Sequence, residues 1–147
     1  MTRQLASRFS DPSHPVQVGQ AYLVTLATRH QIPFFSDHFQ ASRVAREISE
    51  LARQGCCHNW CYVVMPDHCR WMLTLEDASS LAHVVRLMTG KTSRLAAVPL
   101  WQRGFTQQVL RQDQDLLPTA RHVIAAPLRA GLVSRVGDYP YWNAAWL

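Results

Sequence analysis

Lysine is almost absent from this sequence. Lys91 is the one lysine among 15 basic side chains, and arginine supplies the rest of a formal net charge of +5. A guanidinium can form two parallel hydrogen bonds to a phosphate and can stack on a base, whereas an ammonium acts as a point charge. An arginine-rich basic chain therefore favours a nucleic-acid partner, with a merely basic surface as the alternative.

Long apolar runs are also lacking. No uninterrupted apolar run approaches the ~20 residues that a membrane-spanning helix needs, and the N-terminus carries no signal-peptide pattern. We therefore expect a cytoplasmic protein with no membrane role.

Cysteines are few, and all of them fall in one short stretch: Cys56, Cys57, Cys61 and Cys69. In a cytoplasmic chain disulfides are not expected. The cluster of Cys56, Cys57, His58 and Cys61 suggests zinc, but it lacks a C-x-x-C pair and no second pair of ligands follows downstream. Reduced, partly buried thiols are the preferred interpretation.

The size and composition are those of one globular domain. The chain has 147 residues, of which 48% are hydrophobic and 17% charged, enough to bury a core without disulfides or a structural metal. Residues 1–20 contain prolines, serines and Gly19 with little periodicity. We predict an irregular N-terminal arm over 1–20 and a single domain over 21–147.

Hydrophobic periodicity divides this domain into alternating strands and helices. The predicted elements are a strand over 21–28, a helix over 37–53, a β-hairpin of strands 58–64 and 69–75, a helix from Ser79 or Ser80 to about 97, and a strand over 105–111. Asp113 or Asp115 leads into a last helix, which reaches 130 and which Pro127 kinks or shortens. The aromatic tail over 139–146 is expected to pack back on the domain. This order predicts an α+β fold, a ferredoxin-like antiparallel sheet with helices packed on one face.

Residues 62–75 (YVVMPDHCRWMLTL) resemble the signature of HUH transposases. In that family two histidines flank one hydrophobic residue, so that strand alternation puts both on one face, where they hold a divalent metal ion. The two corresponding positions are His68 and Arg70 here.

Three further segments resemble the REP-associated tyrosine transposase branch of the single-tyrosine HUH family. They are WQRGF at 101–105, TARHVIAAPLRAGLV at 119–133 and GDYPYW at 137–142. The family carries its tyrosine nucleophile in the second segment, and the matching residue here is His122. The asparagine of that motif is also replaced, because Ala126 precedes Pro127.

The resemblance implies a mechanism in which a metal ion polarises the DNA phosphate while the tyrosine hydroxyl attacks it. Arg70 brings a permanent positive charge and no lone pair, so we expect no metal and no cofactor, with His68 alone as a weak candidate ligand. An active site would need Mg²⁺ or Mn²⁺. Arg70 could instead bind a phosphate oxygen directly. For His122, a phosphate contact or a structural role is favoured over nucleophilic attack.

These expectations favour a transposase-like protein that binds hairpin or single-stranded DNA without cleaving it and could act as a regulator. Two alternatives stay open: an active metal-dependent DNA nickase with an altered nucleophile, and a regulator on the same fold that binds RNA or protein. We expect a monomer or a homodimer, and enzymatic activity is not the favoured outcome. The predicted nucleic-acid-binding residues are His68, Arg70, Lys91, Arg94, Arg103, Arg121 and His122.

Overall fold

One five-stranded antiparallel sheet organises the fold. The computed structural model describes residues 19–76, 80–112 and 114–146. The strands are β1 (Gln20–Ala27), β2 (His58–Met65), β3 (His68–Leu75), β4 (Thr106–Leu110) and β5 (Trp142–Ala144). The helices are α1 (His38–Arg53), α2 (Leu81–Ala96), α3 (Leu116–Ile124) and α4 (Ala126–Arg129). The strand order is β4-β1-β3-β2-β5, so β3 lies at the centre of the sheet.

The first four strands and the first two helices follow the ferredoxin-like order that the sequence predicts. The α+β class and the antiparallel sheet are confirmed. The predicted β-hairpin is formed by β2 and β3, whose two-residue connection is Pro66 and Asp67. On its other side β3 pairs with β1, which places Ala27 opposite His68 and Thr25 opposite Arg70.

Helix α1 begins where the sequence predicts because Asp37 caps it. The Asp37 carboxylate accepts hydrogen bonds from the backbone amides of Phe39 (2.8 Å) and Gln40 (3.2 Å), which otherwise have no partner within the helix. Beyond the end of α1, Gly55 adopts φ +82°, a left-handed conformation that side chains disfavour. The apolar residues at helical spacing face the sheet, and these are Ala41, Val44, Ile48 and Leu51.

The helices cover both faces of the sheet. Helices α1 and α2 pack on one face, as predicted, in a core that includes Val24 and Trp71. Helix α3 and the first residue of α4 pack on the opposite face, in a second core that includes Leu23 and Met72. The prediction of helices packed on one face therefore holds for α1 and α2, and α3 and α4 depart from it. Both faces are covered because β1 and β3 carry apolar side chains on both sides, and such strands must be buried on both faces.

The C-terminal third of the chain builds this second core. The predicted effect of Pro127 is confirmed, since α3 ends at Ile124 and the short α4 begins at Ala126. The aromatic tail also packs back, as predicted. The Tyr139 hydroxyl donates a 2.5 Å hydrogen bond to the backbone carbonyl of Val64.

The structure describes only the end of the predicted N-terminal arm. Residues 1–18 of the predicted arm lie outside the described residues, and Gln20 already belongs to β1.

All four cysteines lie within the described residues. Among the described residues, no group of three or more His, Cys, Asp or Glu side chains could hold a metal ion. Among the helices of the described ranges, none is long and apolar enough to cross a bilayer.

Candidate nucleic-acid interface

The start of β3 presents His68 and Arg70 on the same face of the sheet. His68 is the first residue of β3 and Arg70 follows two positions later. Side chains two apart on a strand point the same way, and the next in this row, Met72, belongs to the core beneath α3. His68 and Arg70 therefore face the side of the sheet that α3 and α4 cover.

The ring of His68 is held by its neighbour. Its Nδ1 lies 2.8 Å from Oδ1 of Asp67, and both side chains are partly exposed. Nε2 is left as the one ring nitrogen able to bind an external ligand, while the Arg70 guanidinium offers donors but no lone pair. One imidazole nitrogen beside a fixed positive charge does not fit a divalent metal ion.

A second arginine, Arg129, completes this surface. It lies at the end of α4, and its Nη1 donates a 2.6 Å hydrogen bond to the backbone carbonyl of His122 on α3. The positive charge of Arg129, then slight burial and the charge of Arg70 hold the pKa of His122 below its ordinary value. Partial burial and then the charge of Arg129 lower the pKa of Arg70. We name Arg70, His122 and Arg129 the cationic cluster.

Arg70 and Arg129 place two like charges in the cationic cluster. In the part of the chain that the structure describes, neither Arg70 nor Arg129 forms a salt bridge. Like charges held close together disfavour one another, so an anion bound between them would be stabilised. The cluster can therefore bind a phosphate group through charge-assisted hydrogen bonds from two guanidinium groups.

A groove of about 780 Å³ lies at the same end of the sheet as His68. One backbone hydrogen bond connects the two sites, because the Thr28 amide donates to the Asp67 carbonyl (2.9 Å), and a second joins the two segments of the groove, from the Arg29 amide to the Leu100 carbonyl (2.8 Å). We name this the loop groove, lined by Arg29, His30, Gln31, Trp101, Gln102 and Arg103. None of these lining side chains is acidic.

The backbone of the loop groove is unusual. His30 and Gln31 adopt φ +55° and +57° in succession, a left-handed conformation that is uncommon for residues other than glycine. Such conformations cluster at ligand-binding sites. Trp101, which also lines the loop groove, is held in place. Its indole donates a 2.9 Å hydrogen bond to the Thr92 hydroxyl, and the centre of its ring lies 5.1 Å from that of the Phe35 ring.

The structure brings together some of the predicted binding residues and separates others. His68, Arg70 and His122 share one face of the sheet, Arg103 lies in the loop groove, and Arg121 is exposed on α3 beside His122. Lys91 and Arg94 lie on α2, which packs on the opposite face of the sheet. These assignments stay predictions.

Three basic side chains of the cationic cluster and the loop groove were not among the predicted binding residues: Arg29, His30 and Arg129. The sequence contained a signal for Arg129 alone. It follows His122 by seven residues, a spacing of about two helical turns that aligns side chains on one helix face. The break at Pro127 obscured that relation.

Solved structures of transposases share this fold. The structure of a REP-associated tyrosine transposase bound to a REP hairpin superposes with a TM-score of 0.74 and 18% sequence identity, over 90% of this chain and 81% of that chain. The crystal structure of a candidate transposase from Deinococcus radiodurans gives a TM-score of 0.54 and 16% identity, over 84% of this chain and 93% of that chain.

Sequence comparison adds no further relationship. No protein-family model matches this sequence, and no curated protein matches it significantly. The structural superposition confirms, at the level of the fold, the resemblance that the sequence motifs predicted. This chain has the fold of a REP-associated tyrosine transposase.

Proposed function

We propose that this chain is a REP-associated tyrosine transposase relative that binds hairpin or single-stranded DNA without cleaving it. The cationic cluster is the observation that carries the proposal. Arg70 and His122 stand at the positions where the resemblance implies a metal ligand and the nucleophile, and Arg129 links them. The neighbour with a TM-score of 0.74 was solved with a REP hairpin bound, which supports DNA as the partner.

Binding follows from the charges of the cluster. A DNA phosphate carries one negative charge and non-bridging oxygens that accept hydrogen bonds, which match the two arginine side chains. When a phosphate enters, it reduces the repulsion between Arg70 and Arg129 that the free protein must bear. Bound DNA therefore relieves an unfavourable interaction as well as making new ones.

Cleavage is disfavoured because each part of the phosphotransfer chemistry lacks a suitable residue. His68 supplies one ring nitrogen, and Arg70 repels a divalent ion. His122 would have to replace a tyrosine hydroxyl, yet no hydrogen bond within the described residues orients its ring. A nucleophile without an orienting partner or an electrophilic metal contributes little to catalysis.

The loop groove supports a contact with unpaired nucleotides. Proteins that bind single strands combine positive charge along the backbone path with aromatic rings near the bases. Arg29 and Arg103 supply the charge and the fixed Trp101 supplies the ring. Binding without cleavage would suit a cytoplasmic regulator, acting as a monomer or a homodimer.

The test is direct binding to a fluorescently labelled DNA hairpin that carries an unpaired flank, measured by anisotropy at several salt concentrations. We expect binding that Arg129→Gln weakens and that Arg53→Gln leaves unchanged. Arg53 is a matched control because its guanidinium is already paired with Glu50 on α1. A failure of the wild-type protein to bind any hairpin at low salt would refute the proposal.

The same protein and hairpin, incubated with Mg²⁺ or Mn²⁺, distinguish binding from cleavage. We expect intact DNA on a denaturing gel. Site-specific nicks or a covalent protein–DNA adduct would identify an active nickase instead. Stronger binding to an RNA hairpin of the same sequence would favour the RNA-binding alternative.

A further inference from the structure

Helices α1 and α2 carry most of the net charge of the chain. Within their bounds lie six basic and two acidic side chains, a net charge of +4 out of +5 for the whole sequence. Both helices pack against the same face of the sheet. Their outward sides therefore form one basic layer, on the face opposite the cationic cluster.

The two acidic residues of this layer are already engaged. Oε2 of Glu47 lies 3.3 Å from Nζ of Lys91, and Glu50 is hydrogen-bonded and paired with Arg53. The remaining basic residues have no acidic partner among the described residues. They are Arg43, Arg46, Arg86 and Arg94.

The outward side of α2 carries two arginines on either side of a glycine. Arg86, Gly90 and Arg94 follow one another at intervals of four residues, so they form a single stripe along the helix. A Cβ atom at Gly90 would meet only the Arg94 guanidinium, at 3.4 Å, and the backbone there has no positive φ. Neither packing nor conformation requires this glycine, although glycine is unfavourable inside a helix. Without a side chain at this position, the Arg94 guanidinium lies directly over the helix backbone, where its charge is presented together with that of Arg86.

The two helices are fixed relative to one another at this surface. Nη1 of Arg43 on α1 donates a 3.0 Å hydrogen bond to the carbonyl of Leu95 in the last turn of α2. The Lys91–Glu47 pair joins the same two helices. The unpaired guanidinium groups of both helices therefore belong to one rigid surface.

We infer that the outer surface of α1 and α2 is a second nucleic-acid-binding surface, which takes the phosphate backbone of a duplex without reading its sequence. Such binding needs only rigid, uncompensated positive charge with open approach. Because the sheet separates this surface from the cationic cluster, one protein molecule can hold a duplex on one face while a DNA hairpin occupies the other. The hairpin half of this statement rests on the proposed function.

The test uses two labels on the full-length protein. An immobilised DNA hairpin first captures the protein, and a fluorescent duplex of unrelated sequence is then added at low salt. We expect the loaded hairpin to retain the duplex. If protein captured by the hairpin retains no duplex at all, the hairpin and the duplex share one surface and the inference is wrong.

Substitutions assign the duplex to the helical surface. Arg46→Ala combined with Arg86→Ala removes two exposed guanidinium groups that form no salt bridge in the described residues. We expect duplex affinity to fall. The slope of the logarithm of affinity against the logarithm of salt concentration should decrease in magnitude by roughly one for each lost phosphate contact. Hairpin binding should not change, and circular dichroism should show the wild-type fold.

Arg53→Ala, on the same layer, is the control for the loss of one positive charge, because Glu50 already neutralises Arg53. If the control weakens duplex binding as much per removed charge as the double variant does, binding depends on overall charge and the inference is overturned. Failure of the proposed function gives a different result: the hairpin would not be bound, while duplex binding would still depend on Arg46 and Arg86.

Discussion

Replacing Arg70 by glutamine should lower DNA affinity without lowering stability. Glutamine removes the charge and keeps much of the side-chain stem that packs on the sheet. In the free protein Arg70 is partly buried, its pKa is lowered by that burial and by Arg129, and no salt bridge within the described residues compensates its charge. The substitution therefore removes a repulsion from the native state.

The magnitude follows from the bond that is lost. A hydrogen bond from a charged group contributes about 1.5–3 kcal/mol net, and a tenfold change in affinity corresponds to about 1.4 kcal/mol. Arg70→Gln should thus weaken hairpin binding by roughly ten- to a hundredfold. The melting temperature should stay the same or rise, as is common when a strained functional group is removed.

Two measurements on one preparation check this prediction: fluorescence anisotropy with the labelled DNA hairpin, and thermal unfolding followed by circular dichroism. Arg53→Gln, whose salt bridge with Glu50 is exposed, is expected to change either quantity very little. If Arg70→Gln lowers the melting temperature and leaves DNA affinity unchanged, Arg70 is a structural residue and the assignment of the cationic cluster is wrong.

Three further predictions address neighbouring groups. The pKa of His122 lies below its ordinary value because of Arg129, slight burial and Arg70, and a bound phosphate would raise this pKa. DNA binding should therefore take up a proton, and DNA affinity should rise as the pH falls below neutral. Calorimetry in two buffers measures the proton uptake, and an unchanged pH dependence in His122→Gln would count against this role of His122. Arg70→His combined with His122→Tyr should create a site for Mn²⁺, detectable by calorimetry, and permit nicking of the hairpin; a variant that binds Mn²⁺ no better than the wild type would show that other residues exclude the metal. Tyr139→Phe should destabilise the fold by about 1–2 kcal/mol, because the buried carbonyl of Val64 loses its hydroxyl donor; chemical denaturation measures this, and a neutral result would mean that water replaces the bond.

The same pKa shift also fixes the sign of an effect on stability. The folded protein binds a proton at His122 less readily than the unfolded chain does, since its pKa is depressed only in the native state. Stability contributed by neutral His122 is therefore present above the ordinary histidine pKa and is lost as the pH falls below it.

The sequence by itself determined the order and type of the elements. Local signals were sufficient for α1, where Asp37 provides a cap and apolar residues recur at helical spacing, and for the break before α4, where Pro127 cannot continue a helix. The resemblance to the HUH signature implied that positions 68 and 70 share one face, although the predicted strand began only at residue 69. Each of these depends on residues within a few positions of one another, whose relation is set by backbone geometry.

Only the tertiary structure decided which charges lie together. Arg129 joins Arg70 because α3 and α4 pack on the same face of β3, a contact between segments almost sixty residues apart in the chain. Lys91 and Arg94, which the sequence grouped with them, lie across the sheet on α2. Periodicity shows that both faces of β3 are apolar, but the face that each helix covers depends on the path of the connecting chain. The division of one arginine-rich sequence into two separate basic surfaces therefore follows from packing and could not be derived from composition or spacing.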